Sequence, residues 1–270
     1  VIDLRWEWIA AGYFTYLSIV AMSSRRFARA RVGALMGAAF CLVLAVQSSS
    51  WSWLRTESVV FALIVPLAVL LAGYRLSGWF FVSPMHTIEQ RLLAADDRFL
   101  RRSGVLEAYT TSPRVVHEAL EMAYLLVYPV IPAGVATLVL GGHGDAIPRF
   151  WAIVLLAEFL SYGTMPWLQT RPPRALETAA EPMSLPPVIR RLNSAILDRG
   201  SIQANTVPSG HAAGAVATAL AVADVMPLAG VVFLIVAAGI VAATVLGRYH
   251  YLVDSILGVA VAVGAWYVCL

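Results

Sequence analysis

Three short stretches of this 270-residue chain carry side chains suited to holding an anionic oxygen or moving a proton. In Arg248-Tyr-His250-Tyr-Leu-Val-Asp254, the histidine and the aspartate stand four apart, so on a helix they share a face. A carboxylate there can hold the imidazole Nδ1–H, which fixes the tautomer and leaves Nε2 as a nucleophile or base. The stretch Asn205-Thr-Val-Pro208-Ser209-Gly210-His211 reads as a helix start. Free backbone N–H groups and the helix dipole favour a phosphate at such a place. Ser209 offers a hydroxyl and His211 a proton, although the same residues also suit an ordinary helix cap with a satisfied histidine. In Gln169-Thr-Arg171-Pro-Pro-Arg174, two guanidiniums flank a rigid diproline. They make a fork for anionic oxygens, or, in the plainer reading, tie a helix end to lipid headgroups. One histidine and one aspartate are too few ligands for a metal, and neither a metal nor a cofactor is expected.

The elements that must position these clusters are membrane helices. Hydrophobic residues make up 60% of the chain and charged residues 13%, with a mean hydropathy of +0.76. A soluble domain carries about 25% charged residues, and disorder, collagen and coiled coil are excluded on the same grounds. Eight apolar stretches approach the length of a span: 6–22, 32–54, 58–82, 115–140, 147–168, 208–226, 228–246 and 251–270. The fold class expected is therefore all-α, a polytopic membrane protein of about eight spans, kinked at Pro66, Pro129 and Pro132. Between the spans, segment 83–114 sets Ile88, Leu92 and Phe99 at helical spacing among Glu89, Arg91, Asp96, Asp97, Arg101 and Arg102. That pattern predicts an amphipathic helix in the headgroup region. Segment 169–207 carries Pro172, Pro173, Pro182, Pro186 and Pro187, then a second amphipathic piece with Ile189, Leu192 and Ile196.

All 19 basic residues are arginine, so no mechanism can use a lysine. The net charge of +3 is modest and the arginines gather in loops, which excludes a nucleic-acid partner. Cys41 and Cys269 lie in apolar stretches and imply no disulfide framework. With no basic segment ahead of the first apolar stretch, no signal peptide is expected. Fifteen arginines fall in the loops after spans 1, 3, 5 and 7, against Arg5, Arg55 and Arg149 opposite. The positive-inside rule then assigns the three clusters to the cytoplasmic face of a bacterial-type inner membrane. Glu158, in the middle of the fifth span, reads as a structural group bonded to a neighbouring helix. His117, Glu118 and Glu121 read as interfacial, and Trp6, Trp8, Trp51, Trp53, Trp79 and Trp151 as an aromatic belt.

Together the clusters resemble the type-2 phosphatidic acid phosphatase superfamily, which also includes lipid phosphotransferases such as the inositol-phosphoceramide and sphingomyelin synthases. Arg171-Pro172, Pro208-Ser209-Gly210-His211 and His250-x-x-x-Asp254 carry the resemblance, in the family's order. It extends over residues 58–270, and the stretch from Tyr162 to Arg174 is most similar to the inositol-phosphoceramide synthase branch. The resemblance implies a six-helix core at 58–270, preceded by two additional transmembrane helices in 1–57. It implies that His250 is the nucleophile, Asp254 its partner and His211 the general acid. Ser209, the Gly210 amide, Arg171, Arg174 and Arg248 would hold the phosphoryl oxygens in place of a metal. Two positions depart from the family: Thr164 and Thr244 stand where it has a lysine and an arginine, and Arg174 and Arg248 are positioned to compensate.

The activity so implied is hydrolysis of a membrane lipid phosphate, of phosphatidate or isoprenyl phosphate type, through phosphohistidine. The alternative is transfer of a phospho-headgroup to an alcohol acceptor. A transporter using the arginines as an anion path is the rival from another class; it is disfavoured because the ionisable residues gather at one interface and not at the midplane. An inactive, binding-only descendant is disfavoured by the presence of both histidines and the aspartate. The substrate lipid and the bilayer are the expected partners, and a homo-oligomer stays open.

Overall fold

The computed structural model describes residues 5–47, 63–176 and 188–270, and these form helices with no strand among them. In chain order they are α1 (Trp6–Ser23), α2 (Arg31–Gln47), α3 (Val65–Gly78), α4 (His86–Asp96), α5 (Val105–Thr110) and α6 (Arg114–Leu125). Then follow α7 (Val127–Leu140), α8 (Ile147–Tyr162), α9 (Val188–Gly200), α10 (Gly210–Ala223), α11 (Pro227–Leu246) and α12 (Leu252–Val268). Trp51, Trp53, Arg55, Pro182, Pro186 and Pro187 lie outside the described residues.

Helix α10 is the axis of the bundle, packed on α7, α8, α11 and α12. Its composition explains why. The buried positions are almost all Gly, Ala or Thr, and small side chains let helix backbones approach closely where lipid supplies no hydrophobic drive. At Gly258 of α12 an added Cβ would stand 2.5 Å from the Ser209 carbonyl oxygen, so only glycine fits the crossing. At Gly214 an added Cβ would run into the Glu158 carboxyl of α8. Glu158 hydrogen-bonds Tyr162 on its own helix and meets the neighbouring helix through glycine, not through the hydrogen bond the sequence reading expects.

The outside of the bundle is apolar. On α11, Leu228, Val231, Val232 and Ile235 are all exposed, spaced as one helical stripe. A stripe of that kind is tolerated when the solvent is lipid. The all-α membrane class read from the sequence is what the structure has. Among the described residues two segments meet the length and composition of a span, Arg25–Gln47 and α11, and α6 with α7 makes a third if counted together across a 57° bend. The sequence reading expects about eight. Three further apolar helices, α3, α10 and α12, have 14, 14 and 17 residues, against about 20 for a span.

The bend falls at Leu126, three residues before Pro129. That proline offers no N–H to the Leu125 carbonyl, and its ring crowds it. Pro66 instead stands at the start of α3, where proline costs little. Helix α1 packs on α2 and α8, with Tyr13 stacked on Phe159 at 4.1 Å and its hydroxyl donating to the Gly73 carbonyl at 3.1 Å. Of the expected aromatic belt, Trp8 and Trp79 are exposed, whereas Trp6 and Trp151 are buried in the core.

The amphipathic segment 83–114 forms α4, a π turn at Asp97–Arg101 and α5. Its buried face differs from the expected one. Helix α4 turns Glu89, Leu92 and Asp96 inward and packs on α12, while Phe99 of the following turn is exposed. The carboxylates face inward because two arginines wait for them there.

Candidate active site

The second and third clusters are fastened to each other at the starts of α10 and α12. Ser209 caps α10, its Oγ accepting from the Ala212 amide at 3.3 Å, and its own amide donates to the Asp254 carbonyl at 2.9 Å. The Gly210 amide donates to Thr206 Oγ1 at 3.2 Å. Ser209 is fully buried. The hydroxyl and amide expected to face a phosphate thus serve the helix start, and Thr206 is the hydroxyl residue of this cluster that lines the chamber beside the histidines.

Asp254 caps the first turn of α12, accepting from the Tyr251 amide at 3.0 Å, and its Oδ2 also accepts from Asn205 Nδ2 at 2.8 Å. Asn205 in turn pairs with Thr170 through backbone and side chain, at 2.8 and 3.1 Å. This ties the first cluster to the other two. His250 Nδ1 lies 3.7 Å from Asp254 Oδ2, beyond hydrogen-bond reach, and neither His250 Nδ1 nor Asp254 Oδ1 has a hydrogen-bond partner among the described residues. The other ring nitrogen, Nε2, lies 3.4 Å from His211 Nδ1. On its far side, His211 Nε2 pairs with the Tyr124 hydroxyl at 3.3 Å. Burial first, and the Arg174 charge second, push the His250 imidazole down to about 3. It is neutral near pH 7, with a lone pair available.

The three candidate arginines go to different places. Arg174 lines the chamber with both histidines; its amide donates to the Arg248 carbonyl at 3.2 Å, and its guanidinium sits 4.8 Å over the Tyr249 ring. Arg171 turns to Glu89, donating from Nε and its amide to Oε1 at 3.0 and 2.9 Å and from Nη2 to Oε2 at 2.9 Å. Arg248 turns to Asp96, Nη1 to Oδ2 at 2.7 Å. The structure brings His250, His211 and Arg174 together around one chamber. It sets Asp254, Ser209 and Gly210 behind its wall and joins Arg171 and Arg248 to α4.

That chamber is walled by Tyr74, Tyr124, Tyr162, Tyr249, Pro172, Leu197, Ser201, Gln203 and Thr206 besides the two histidines and Arg174. Tyr249 stacks on Tyr124 at 3.7 Å, and its hydroxyl donates to Glu121 Oε2 at 2.6 Å. Asn193 of α9 donates to the same oxygen at 2.7 Å. Glu121, expected at the headgroup edge, is buried. Sequence reasoning misses Glu121, Tyr124 and Tyr249 as parts of the site, and the available signal was weak: Glu121 and Tyr124 stand three apart on one face of α6. Among the described residues no three His, Cys, Asp or Glu side chains come together as a metal site would need.

A family model of the PAP2 (type-2 phosphatidic acid phosphatase) superfamily matches residues 90–268. The chain belongs to the PAP2 superfamily. The matched region holds all three clusters and α5–α12, and it leaves α1–α3 and Glu89 outside. No curated protein and no solved structure matches the chain. Membership of the PAP2 superfamily makes this a membrane enzyme of the phosphatase or phosphotransferase type.

Proposed function

We propose that this PAP2 protein cleaves the phosphate ester of a membrane lipid phosphate through a phosphohistidine on His250. The observation that carries the reading is the meeting of two imidazoles and one guanidinium in one chamber, His250 Nε2 facing His211 Nδ1 at 3.4 Å with Arg174 beside them. In the first step His250 Nε2 attacks phosphorus, the ester P–O bond breaks, and the leaving oxygen takes a proton from His211 in its imidazolium form, which becomes neutral. In the second, water attacks phosphorus as the P–N bond breaks, and its proton goes to His211. Arg174 and the hydroxyls of the chamber hold the phosphoryl oxygens, and Asp254 supplies a compensating charge behind His250. The lipid is of the phosphatidate or isoprenyl phosphate class, and eight crossings put the site on the cytoplasmic face of an inner membrane, with 1–57 added to the core.

A second reading, transfer of a phospho-headgroup to an alcohol in the manner of the inositol-phosphoceramide synthase branch, is favoured by one observation. Arg171 and Arg248 are ion-paired, and one guanidinium lining the chamber among the described residues suits the single charge of a phosphodiester. Both readings share the first half-reaction. The test is phosphate release by detergent-purified protein from phosphatidate, isoprenyl phosphates and isoprenyl diphosphates, with His250→Ala alongside, then with intact phospholipids and alcohol acceptors. Release lost in the variant supports hydrolysis; product only with an acceptor supports transfer; no product in either arm contradicts both.

A further inference from the structure

Two buried carboxylates outside the three clusters control where the arginines point. Glu89 and Asp96 stand seven apart on α4, two helical turns, on the face that also buries Leu92. Each is almost wholly buried, at 2% and 1% exposure, and each is met by one arginine from a motif. The Arg171 hydrogen bonds hold the Glu89 carboxyl below its ordinary range, so this partner is an anion. Each carboxylate also holds backbone. Glu89 Oε1 accepts the Arg171 amide at 2.9 Å, and Asp96 Oδ1 accepts the Leu252 amide at the start of α12 at 3.0 Å. Between them Leu92 packs with Tyr251 and Val207, and the Tyr251 hydroxyl donates to the Arg171 carbonyl at 3.0 Å.

One face of one helix therefore grips the segment that leads to Arg174 and the turn that presents His250. That turn needs a grip, because Arg248 takes φ +61°, a left-handed conformation that costs a residue with a side chain.

We propose that Glu89 and Asp96 are positioning residues, which hold Arg171 and Arg248 as anchors of the two walls of the chamber and leave Arg174 as the guanidinium that meets the phosphoryl group. This rests on the phosphoryl-transfer reading above for its consequence, though not for its geometry. The charged groups of α4 then act on the reaction through alignment, and Arg171 and Arg248 serve the frame, not the substrate. A misplacement of about 1 Å at reacting atoms costs up to about a hundredfold in rate. A buried ion pair replaced as a pair is tolerated far better than one broken from a single side.

The test uses the whole chain in detergent, with Glu89→Gln, Arg171→Gln, the two combined, and Arg174→Gln. Turnover, orthovanadate binding and thermal unfolding are read for each. The expected result is that each single variant at 89 and 171 loses about tenfold to a hundredfold in kcat. The combined variant recovers most of that loss and still binds vanadate. Arg174→Gln alone raises the vanadate Kd by tenfold or more. A combined variant as inactive as Arg171→Gln, with vanadate affinity lost in both, overturns the proposal and makes Arg171 an anion ligand. Wild-type protein that neither turns over substrate nor binds vanadate contradicts the phosphoryl-transfer reading instead. The unfolding cycle then still judges the brace: shifts at 89 and 171 that merely add overturn it, and coupled shifts sustain it.

Discussion

Nε2 of His250 and Nδ1 of His211 lie 3.4 Å apart, on rings tilted 58° to each other. On the proposed reading, an ester attacked by the first nitrogen gives up its leaving oxygen to a proton from the second ring. The two histidines come from different helix starts, α12 and α10. Their approach depends on Gly258, which lets α12 close onto the Ser209 carbonyl.

The two imidazoles should fail differently when removed. His250→Ala abolishes product formation, since it removes the nitrogen that attacks phosphorus. His211→Ala slows it by roughly 10²–10⁴, the usual contribution of a general acid. Steady-state rates on one lipid phosphate check this, and a His250→Ala enzyme with a tenth of wild-type activity would be incompatible with the assignment.

The pH dependence follows from burial. A nucleophilic imidazole works neutral, and with His250 pushed down to about 3 that form persists well below the ordinary value of about 6.5. The value of kcat/KM should stay level as pH falls through about 6.5, with no acid limb there from this group. Stability carries the matching sign. The unfolded chain binds a proton on this histidine below about 6.5 and the folded chain does not, so its contribution is complete above that pH and is lost as pH falls towards the folded value. An acid limb centred near 6.5 in the wild-type profile, on a substrate with no group titrating there, would contradict the buried, neutral nucleophile.

Asn205 holds Asp254 and Thr170 at once. Asn205→Ala leaves a buried carboxylate short of a donor, and destabilisation of about 1–3 kcal/mol is expected, read as a lower Tm in detergent. An unchanged Tm would mean that the tie between the clusters carries no energy.

Gly258→Ala tests the helix crossing. Its new Cβ would meet a backbone oxygen at 2.5 Å, and an overpacked contact of this kind costs about 1–3 kcal/mol. Activity should fall with stability, because α12 carries His250 at its start. A variant of unaltered Tm would show that the two helices can part without cost.

Topology can be read by labelling. Glu107 is exposed on α5, and the native cysteines Cys41 and Cys269 are buried. A cysteine introduced by Glu107→Cys should react with an impermeant maleimide from the cytoplasmic side alone. Labelling from outside intact cells would reverse the arginine-based orientation.

What the sequence could show was local. His250 and Asp254 are close in sequence, and Pro208 to His211 announce a helix start, so the histidine motifs and the membrane class are legible from types and spacing. The destinations of the arginines are not. Arg171 and Arg174 look equivalent beside the diproline, yet Glu89, 82 positions away from Arg171, selects one of them. The same reasoning misjudged α4, because an apolar stripe of Ile88, Leu92 and Phe99 says nothing of which carboxylates will find buried partners. Ser209 and the Gly210 amide read as phosphate donors until Ala212 and Thr206 are seen to be their partners. Glu121 reads as interfacial because Tyr249 and Asn193, which satisfy it, lie more than 70 residues away.

The central claim is a covalent intermediate on His250. Enzyme mixed with a lipid phosphate, quenched in alkali to preserve a phosphoramidate and weighed intact, should gain the mass of one phosphoryl group, mapped to the peptide bearing His250 and absent in His250→Ala. With an intact phospholipid as donor instead, an increment of phosphoryl plus headgroup would select the transferase reading over the hydrolase. Turnover with no adduct under any quench, or an adduct that survives in His250→Ala, would contradict the account.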